Sequence, residues 1–312
     1  MGAPEIEYRS FDDDHIAGAA ELLGRCHRAH LIDEPLLAQD VDFKSLVQSE
    51  REDATGAVAL SGNVVVGYLL GRHASGRIGP HIWSSSAGYA ADDPDIAPDL
   101  YALAAARWVD EGLTRHYVFA AADRAHVEPW FRLGFGASAF QAVRPVPGLA
   151  MHGGARDVEV RLSRPEDLHR IAELARELPI HLRVSPSFSE LSVESEEALR
   201  DEWRDTWERE EYTHFVAALD GRIVGQLLLY RRPVGDLRIP SNSIDLSNAT
   251  TLPAVRGVGV GRALSDAAIA WADAQGLSAM TTDWRAANLL AARFWPRLGF
   301  RPTHLRLYRS IP

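Results

Sequence analysis

Two short segments carry residue types and spacings that can do chemistry. In the first, Gly257, Gly259 and Gly261 alternate with Val258 and Val260, and Arg256 and Arg262 bracket them. A probable strand over Ser243 to Thr251 leads in, and a helix follows at once. Glycines let main chain come close to a ligand and adopt positive φ. The first N–H groups of a helix lack intrahelical partners, so with the helix dipole they welcome a diphosphate. Flanking guanidinium groups pair with phosphate oxygens. Other glycine loops compete for this pattern. A dinucleotide-binding loop would sit in a βαβ unit near the chain start, with an acidic residue ending the next strand. A Walker loop needs Gly-Lys-Ser/Thr, which is absent. A bland glycine-rich turn also stays open at this point.

The second segment comes one helix and one strand later: Asn288, Ala291, Phe294, Trp295 and then Leu298-Gly299-Phe300. Together the two resemble the GCN5-related N-acetyltransferase (GNAT) superfamily. Its loop reads Arg/Gln-x-x-Gly-x-Gly/Ala, and its later helix Asn-x-x-Ala-x-x-Phe-Tyr-x-x-x-Gly-Phe. The resemblance extends in layout over the whole chain and in residues from about Val158 to Tyr308.

The resemblance implies an α/β fold with a mixed sheet, and an acyl-CoA, acetyl-CoA in the simplest case, as co-substrate without a metal. Leu252 to Val255 would follow the strand whose backbone pairs with pantetheine. Arg256, Gly257, Val258, Gly259, Val260, Gly261 and Arg262 would cradle the pyrophosphate. Asn288 would bond pantetheine or its phosphate, and Phe294 would pack along the cofactor. Trp295 stands where the family often has a tyrosine that reprotonates the thiolate. An indole N–H is too weakly acidic for that task, so a water, Tyr308 or Tyr230 would have to replace it.

The implied reaction is direct attack of a neutral amine on the acyl carbonyl in one ternary complex, driven by positioning and by donors to the developing oxyanion. Asp245, on the strand before the loop, lies where the family frequently keeps a carboxylate and is the expected base, with Asn248 and Thr251 as polar neighbours that could orient water. Its plainer reading is a local cap. His181 falls on the usual acceptor side, although a solvated loop histidine is the simpler account. Trp203, Trp207 and Trp284 could border the acceptor or serve as core. Glu194, Glu196 and Glu197 read as an acidic helix start. The expected activity is N-acylation of a small-molecule amine, with a non-catalytic acyl-CoA sensor as the alternative.

The elements that must position these residues occur twice. A strand-to-helix start recurs at Arg9 with Glu21 and at Arg161 with Glu173, at the same spacing. Hairpins turn at Gly62 and Gly221 between β-rich runs. Helices end at Gly112 and Gly276, and Arg132-Leu133-Gly134-Phe135 matches Arg297-Leu298-Gly299-Phe300. The 312 residues therefore divide into tandem domains, 1–148 and 155–312, joined by a turn-rich linker over 146–154. Aligned on Trp108 and Trp271, the first copy puts Asp93 opposite Arg256, Ile96 opposite Gly259, Pro98 opposite Gly261 and Asp99 opposite Arg262. Asp123, His126 and Pro129 replace Asn288, Ala291 and Phe294. That exchange removes cations and N–H donors, so only the second copy is expected to hold CoA.

The net charge is −10, and Lys44 is the sole lysine, so no basic stripe for nucleic acid is present. No apolar run approaches the roughly 20 residues of a membrane span. A polar N-terminus and one cysteine, Cys26, suit the cytoplasm. Cys26 reads as an inert buried thiol. The duplication makes a monomer built as an internal pseudo-dimer plausible, with a homodimer as the other expectation.

Overall fold

The computed structural model describes residues 5–75, 78–146, 157–189, 196–207, 209–233 and 235–312. Two compact units make up the chain. The first comprises Met1–Ala142, Val234–Ser241 and Pro302–Pro312, and the second Val143–Pro233 and Asn242–Arg301. The division expected at 148/155 thus covers most of each unit, but the chain's last strand and one internal loop belong to the first. The proposed linker from 147 onward lies outside the described residues, as does Glu194.

In the first unit the order is β1 (Ile6–Ser10), α1 (Ile16–Asp33), α2 (Phe43–Glu52), β2 (Ala54–Ser61), β3 (Val64–Ala74), β4 (His81–Ser84), β5 (Tyr89–Ala91), α3 (Ala97–Asp110), β6 (Arg115–Ala121), α4 (Arg124–Arg132) and β7 (Gly136–Pro145). The second runs β8 (Val158–Leu162), α5 (Leu168–Ala175), α6 (Glu177–Arg183), α7 (Glu196–Trp207), β9 (Tyr212–Leu219), β10 (Arg222–Tyr230), β11 (Ser243–Thr251), α8 (Val260–Ala274), β12 (Ala279–Arg285) and α9 (Leu289–Arg297). The final strand, β13 (Arg301–Ser310), returns to the first unit.

The repeat read from the sequence is present as a repeat of pairing. β1, β2 and β3 form an antiparallel ladder, and so do β8, β9 and β10. Both hairpins carry a register shift just after the turn, ending at Gly67 in one and Gly225 in the other. β4 runs parallel to β6, and β11 parallel to β12. Asp220 and Gly221 both take positive φ, as a two-residue hairpin turn of type I′ requires. Gly112 and Gly276 are left-handed, and the next N–H in each case reaches back to Trp108 or Ala272, closing the helix end.

The last strands are exchanged. β13, not β7, pairs antiparallel with β6, from His304 against Ala121 to Ser310 against Arg115. From Val143 on, β7 belongs to the second unit, where Val146 N–H bonds to Ser278 O at 3.0 Å. Leu305 and Leu307 then complete a core built on Trp108, Trp130 and Tyr101. Cys26 donates to Ala91 O at 3.5 Å, and burial pushes its thiol up to about 11, which agrees with an unreactive group. Among the described residues, no helix is long and apolar enough to cross a membrane.

In the second unit, Ile171, Trp203, Val216 and Leu228 form the core beneath α5 and α7. Trp203 is therefore a core residue. His214 of β9 is 7% exposed, stacks on Trp207 at 5.3 Å and meets the edge of Trp203 at 5.0 Å. Burial lowers its pKa to about 4, since a charged imidazole there would lose its water. In an unfolded chain the same ring titrates near 6.5. The folded value is depressed, so the stabilisation is complete above about pH 6.5 and is lost as pH falls toward 4. The loss should amount to on the order of 2–3 kcal/mol. We expect urea midpoints measured at pH 7.5 and 4.5 to differ less in His214→Phe than in the parent chain; an equal difference would refute this assignment.

Candidate functional site

The groove of the second unit begins with a break in sheet pairing. β11 and β12 are in parallel register only from Ser243/Ala279 to Leu246/Thr282. On its other side β11 pairs with β10, but Leu229 faces Leu246 while Leu228 faces Asn248. Ser247 is thus an extra residue, a β-bulge, which bends the strand and increases its twist. Beyond it β11 and β12 part, and the β12-facing edge of β11 has no ladder partner among the described residues. The space between them is a groove of about 680 Å³.

One wall is β11 from Leu246 to Thr251, and the opposite wall is β12 from Thr282 to Arg285 with α9. One end is closed by the glycine loop. After Leu252, a 3-10 turn at Pro253–Val255 brings the chain to Arg256, and Gly257 and Gly259 take φ of 85° and 99°. Those angles are costly for any side chain with a Cβ. Gly259 is the N-cap of α8 and offers no side-chain cap, so the first N–H groups of this 15-residue helix keep their demand for an acceptor. At Gly261 the loop passes the Phe294 ring, where an added Cβ would make ordinary van der Waals contact at 3.6 Å.

The described lining carries five arginines, Arg256, Arg262, Arg285, Arg293 and Arg297, against two carboxylates, Glu177 and Asp283. In a chain of net charge −10 this is a local reversal of sign. Arg262 is held by Asp266, with Nε 2.9 Å from both carboxylate oxygens. The sequence reading found Arg256 and Arg262 but missed the other three. Arg297 stood inside the recognised Arg-Leu-Gly-Phe segment and was legible there.

Asn288 caps α9 by accepting from Ala291 N–H at 3.3 Å, and its side chain is 8% exposed. His181 is not a solvated loop residue. It sits on α6, lines the groove and places Nε2 3.2 Å from Asn288 Oδ1. Phe294 and Trp295 also line the groove, and Trp295 is packed edge-on against Phe294 and Phe300. Trp284 borders it as well, whereas Trp207 lies against His214.

Asn248 and Thr251 face the groove, but Asp245 does not join its lining. The Asp245 carboxylate is 1% exposed, with Arg232 donating to one oxygen at 2.8 Å and Thr281 to the other at 2.6 Å. Burial raises its pKa, against the lowering effect of Arg232 and Thr281. The base expected there is thus engaged beneath the sheet, because alternation turns its side chain into a hydrogen-bonded pocket. The two tyrosines considered as acids are also elsewhere: Tyr230 stacks on Tyr212 at 4.6 Å, and Tyr308 lies in the first unit against Tyr117.

The first copy carries different residues on the same framework. Asp93 caps the short 3-10 turn ahead of α3 by accepting from Asp95 N–H, while α3 itself, like α8, starts without a side-chain cap. Ile96, opposite Gly259, is 7% exposed and packs directly on Gly67, where an added Cβ would meet it at 2.5 Å. Asp92 and Asp95 are paired with Arg25 and Arg132. Asp123 caps α4 through His126 N–H, just as Asn288 caps α9.

Comparison with known proteins agrees with this geometry. The acetyltransferase (GNAT) family model matches residues 177–300, the segment that builds the groove. No curated protein sequence matches the chain. A GCN5-related N-acetyltransferase from Sphaerobacter thermophilus superposes with a TM-score of 0.65 at 13% identity, covering 98% of this chain and 95% of that one. A tandem GNAT protein from the clavulanic acid biosynthesis pathway gives 0.52 at 13% identity, with 98% of both chains covered. A GNAT-family acetyltransferase from Colwellia psychrerythraea gives 0.50 at 12%, covering 98% of this chain and all of its own. At such identities the likeness is one of fold, and it spans the whole chain. Residues 177–300 therefore match the acetyltransferase (GNAT) family model, and the chain around them shares the fold of solved GNAT proteins, a tandem one included.

Proposed function

We propose that this chain is an N-acyltransferase, moving an acetyl or other small acyl group from acyl-CoA to an amine of a small molecule. Family and fold support acyl transfer from acyl-CoA in general. The observation that carries the finer reading is the uncapped start of α8, flanked by Arg256 and Arg262, at one end of a groove walled by parted strands. The main-chain N–H groups from Gly257 to Gly261 would take the diphosphate, with Leu252 and Val255 leading the loop into place. The unpaired edge of β11 offers hydrogen bonds to an extended amide-bearing arm, as a sheet edge does to an added strand. Phe294 and Trp295 supply apolar surface beside it. Asn288 Oδ1 is already used twice, so its NH₂ group is the part left to donate to the arm.

The bulge places main chain around Ser247 where the strands separate, a position suited to donors for an oxyanion. Catalysis would rest on holding amine and thioester together in one complex, since no placed nucleophile is needed. Tryptophan at 295, without a tyrosine in the described lining, favours one rival reading, an acyl-CoA sensor without turnover. Thiol release with acetyl-CoA and an amine panel separates the two, because binding without release would favour the sensor.

Gly259→Asp combined with Arg256→Glu should reduce acetyl-CoA affinity more than about 100-fold, roughly 2.7 kcal/mol, while circular dichroism stays unchanged. Undiminished affinity by calorimetry would remove the loop from the site. Asp245→Asn should act on local packing instead, since the carboxylate bonds to Arg232 and Thr281 and not to the groove. Its kcat at a temperature where it stays folded should lie within about threefold of the parent value; a loss near 100-fold would restore Asp245 as the base.

A further inference from the structure

The acyltransferase reading leaves open which group moves the proton, and the three side chains expected to do so are absent from the described lining. Asp245 is engaged below the sheet, and neither Tyr230 nor Tyr308 lines the groove. His181 is the one imidazole among the described lining residues, and its hydrogen bonding is unusually constrained.

Asn288 Oδ1 lies 3.3 Å from Ala291 N–H. A main-chain N–H can only donate, so the atom facing it must be the carboxamide oxygen; turning the amide over would bring two donors together. The same oxygen lies 3.2 Å from His181 Nε2. Nε2 must therefore carry a hydrogen in order to donate. In the neutral ring that leaves Nδ1 without one, as a lone pair. The start of α9 thus fixes the tautomer of a histidine on α6.

Resting on the acyltransferase reading, we propose that His181 is the proton-transfer residue of the groove, accepting a proton at Nδ1 from the acceptor ammonium, directly or through one water. The neutral amine then attacks the acyl carbon, the C–N bond forms and the C–S bond breaks. The second nitrogen-bound proton goes to the departing thiolate. The first passes from Nδ1 to solvent, so amide, free thiol and one released proton are the products. In the protonated interval both ring nitrogens are donors, and Nε2 keeps its bond to Asn288 throughout. The charged groups that share the described groove lining with this ring are Glu177, a turn earlier on α6, Arg256 and Arg262 at the glycine loop, Asp283 and Arg285 on β12, and Arg293 and Arg297 on α9.

The test uses the full chain with acetyl-CoA and three acceptors of different chemistry: tyramine, spermidine and glucosamine. Against the best of them, His181→Ala should lower kcat by roughly 100-fold with KM for acetyl-CoA changed less than threefold. The acidic limb of the kcat/KM profile should vanish, and added imidazole should restore part of the rate. His181→Gln, which can still donate to Asn288, should remain as slow as the alanine variant. A glutamine variant at parental rate with the acidic limb intact would show that His181 only supports Asn288, and would overturn the proposal. A chain that binds acetyl-CoA but turns over none of the acceptors would count against the acyltransferase reading itself. In that case nitrogen-15 spectra of the histidine ring still decide: hydrogen on Nε2 supports the assignment, and hydrogen on Nδ1 overturns it.

Discussion

The groove depends on two adjoining places where, among the described residues, main chain has no side-chain cap or no ladder partner. Helix α8 starts without a side-chain cap, and β11 leaves β12 after four paired residues. Either omission is unfavourable in an isolated fold, because N–H and C=O groups removed from water need partners. Here both openings face one groove, beside five arginines. A ligand carrying phosphate at one end and amides along its length answers both demands at once. The rest of the second unit serves to hold that incomplete bonding in place.

The first unit shows the alternative solution to the same problem. Its Asp93 carboxylate accepts within the 3-10 turn ahead of α3, Ile96 packs beside Gly67, and Arg25 and Arg132 pair with the neighbouring carboxylates. In this copy acidic and apolar side chains bond and pack within the protein where the second copy carries glycines and arginines.

Much of this was legible in the sequence because it rests on local rules. Glycines at 62, 112, 221 and 276 marked turns and helix ends, and the alternation around Gly259 marked a helix start with positive φ. What could not be read depends on partners far apart along the chain. A bulge at Ser247 exists only relative to the register of β10, and nothing in Ser-Ile-Asp-Leu-Ser-Asn announces it. Alternation along β11 sets Asp245 on the face opposite Asn248, toward Arg232 and Thr281, so the expected base lies outside the described groove lining although its residue type suits the role. His181 was seen as a residue, but its bond to Asn288 spans 107 positions.

The exchange of final strands changes how the molecule can be completed. β6 in the first unit pairs with β13, which follows the whole second unit along the chain. On a ribosome, therefore, β6 cannot gain this partner until the second unit has been made, although nearly all of the first unit's own sequence emerged long before. Cutting the chain at the linker would not free two independent halves; it would take a strand and a buried loop from one of them. Interleaving of this kind makes the sheet of the first unit depend on chain that lies beyond the second.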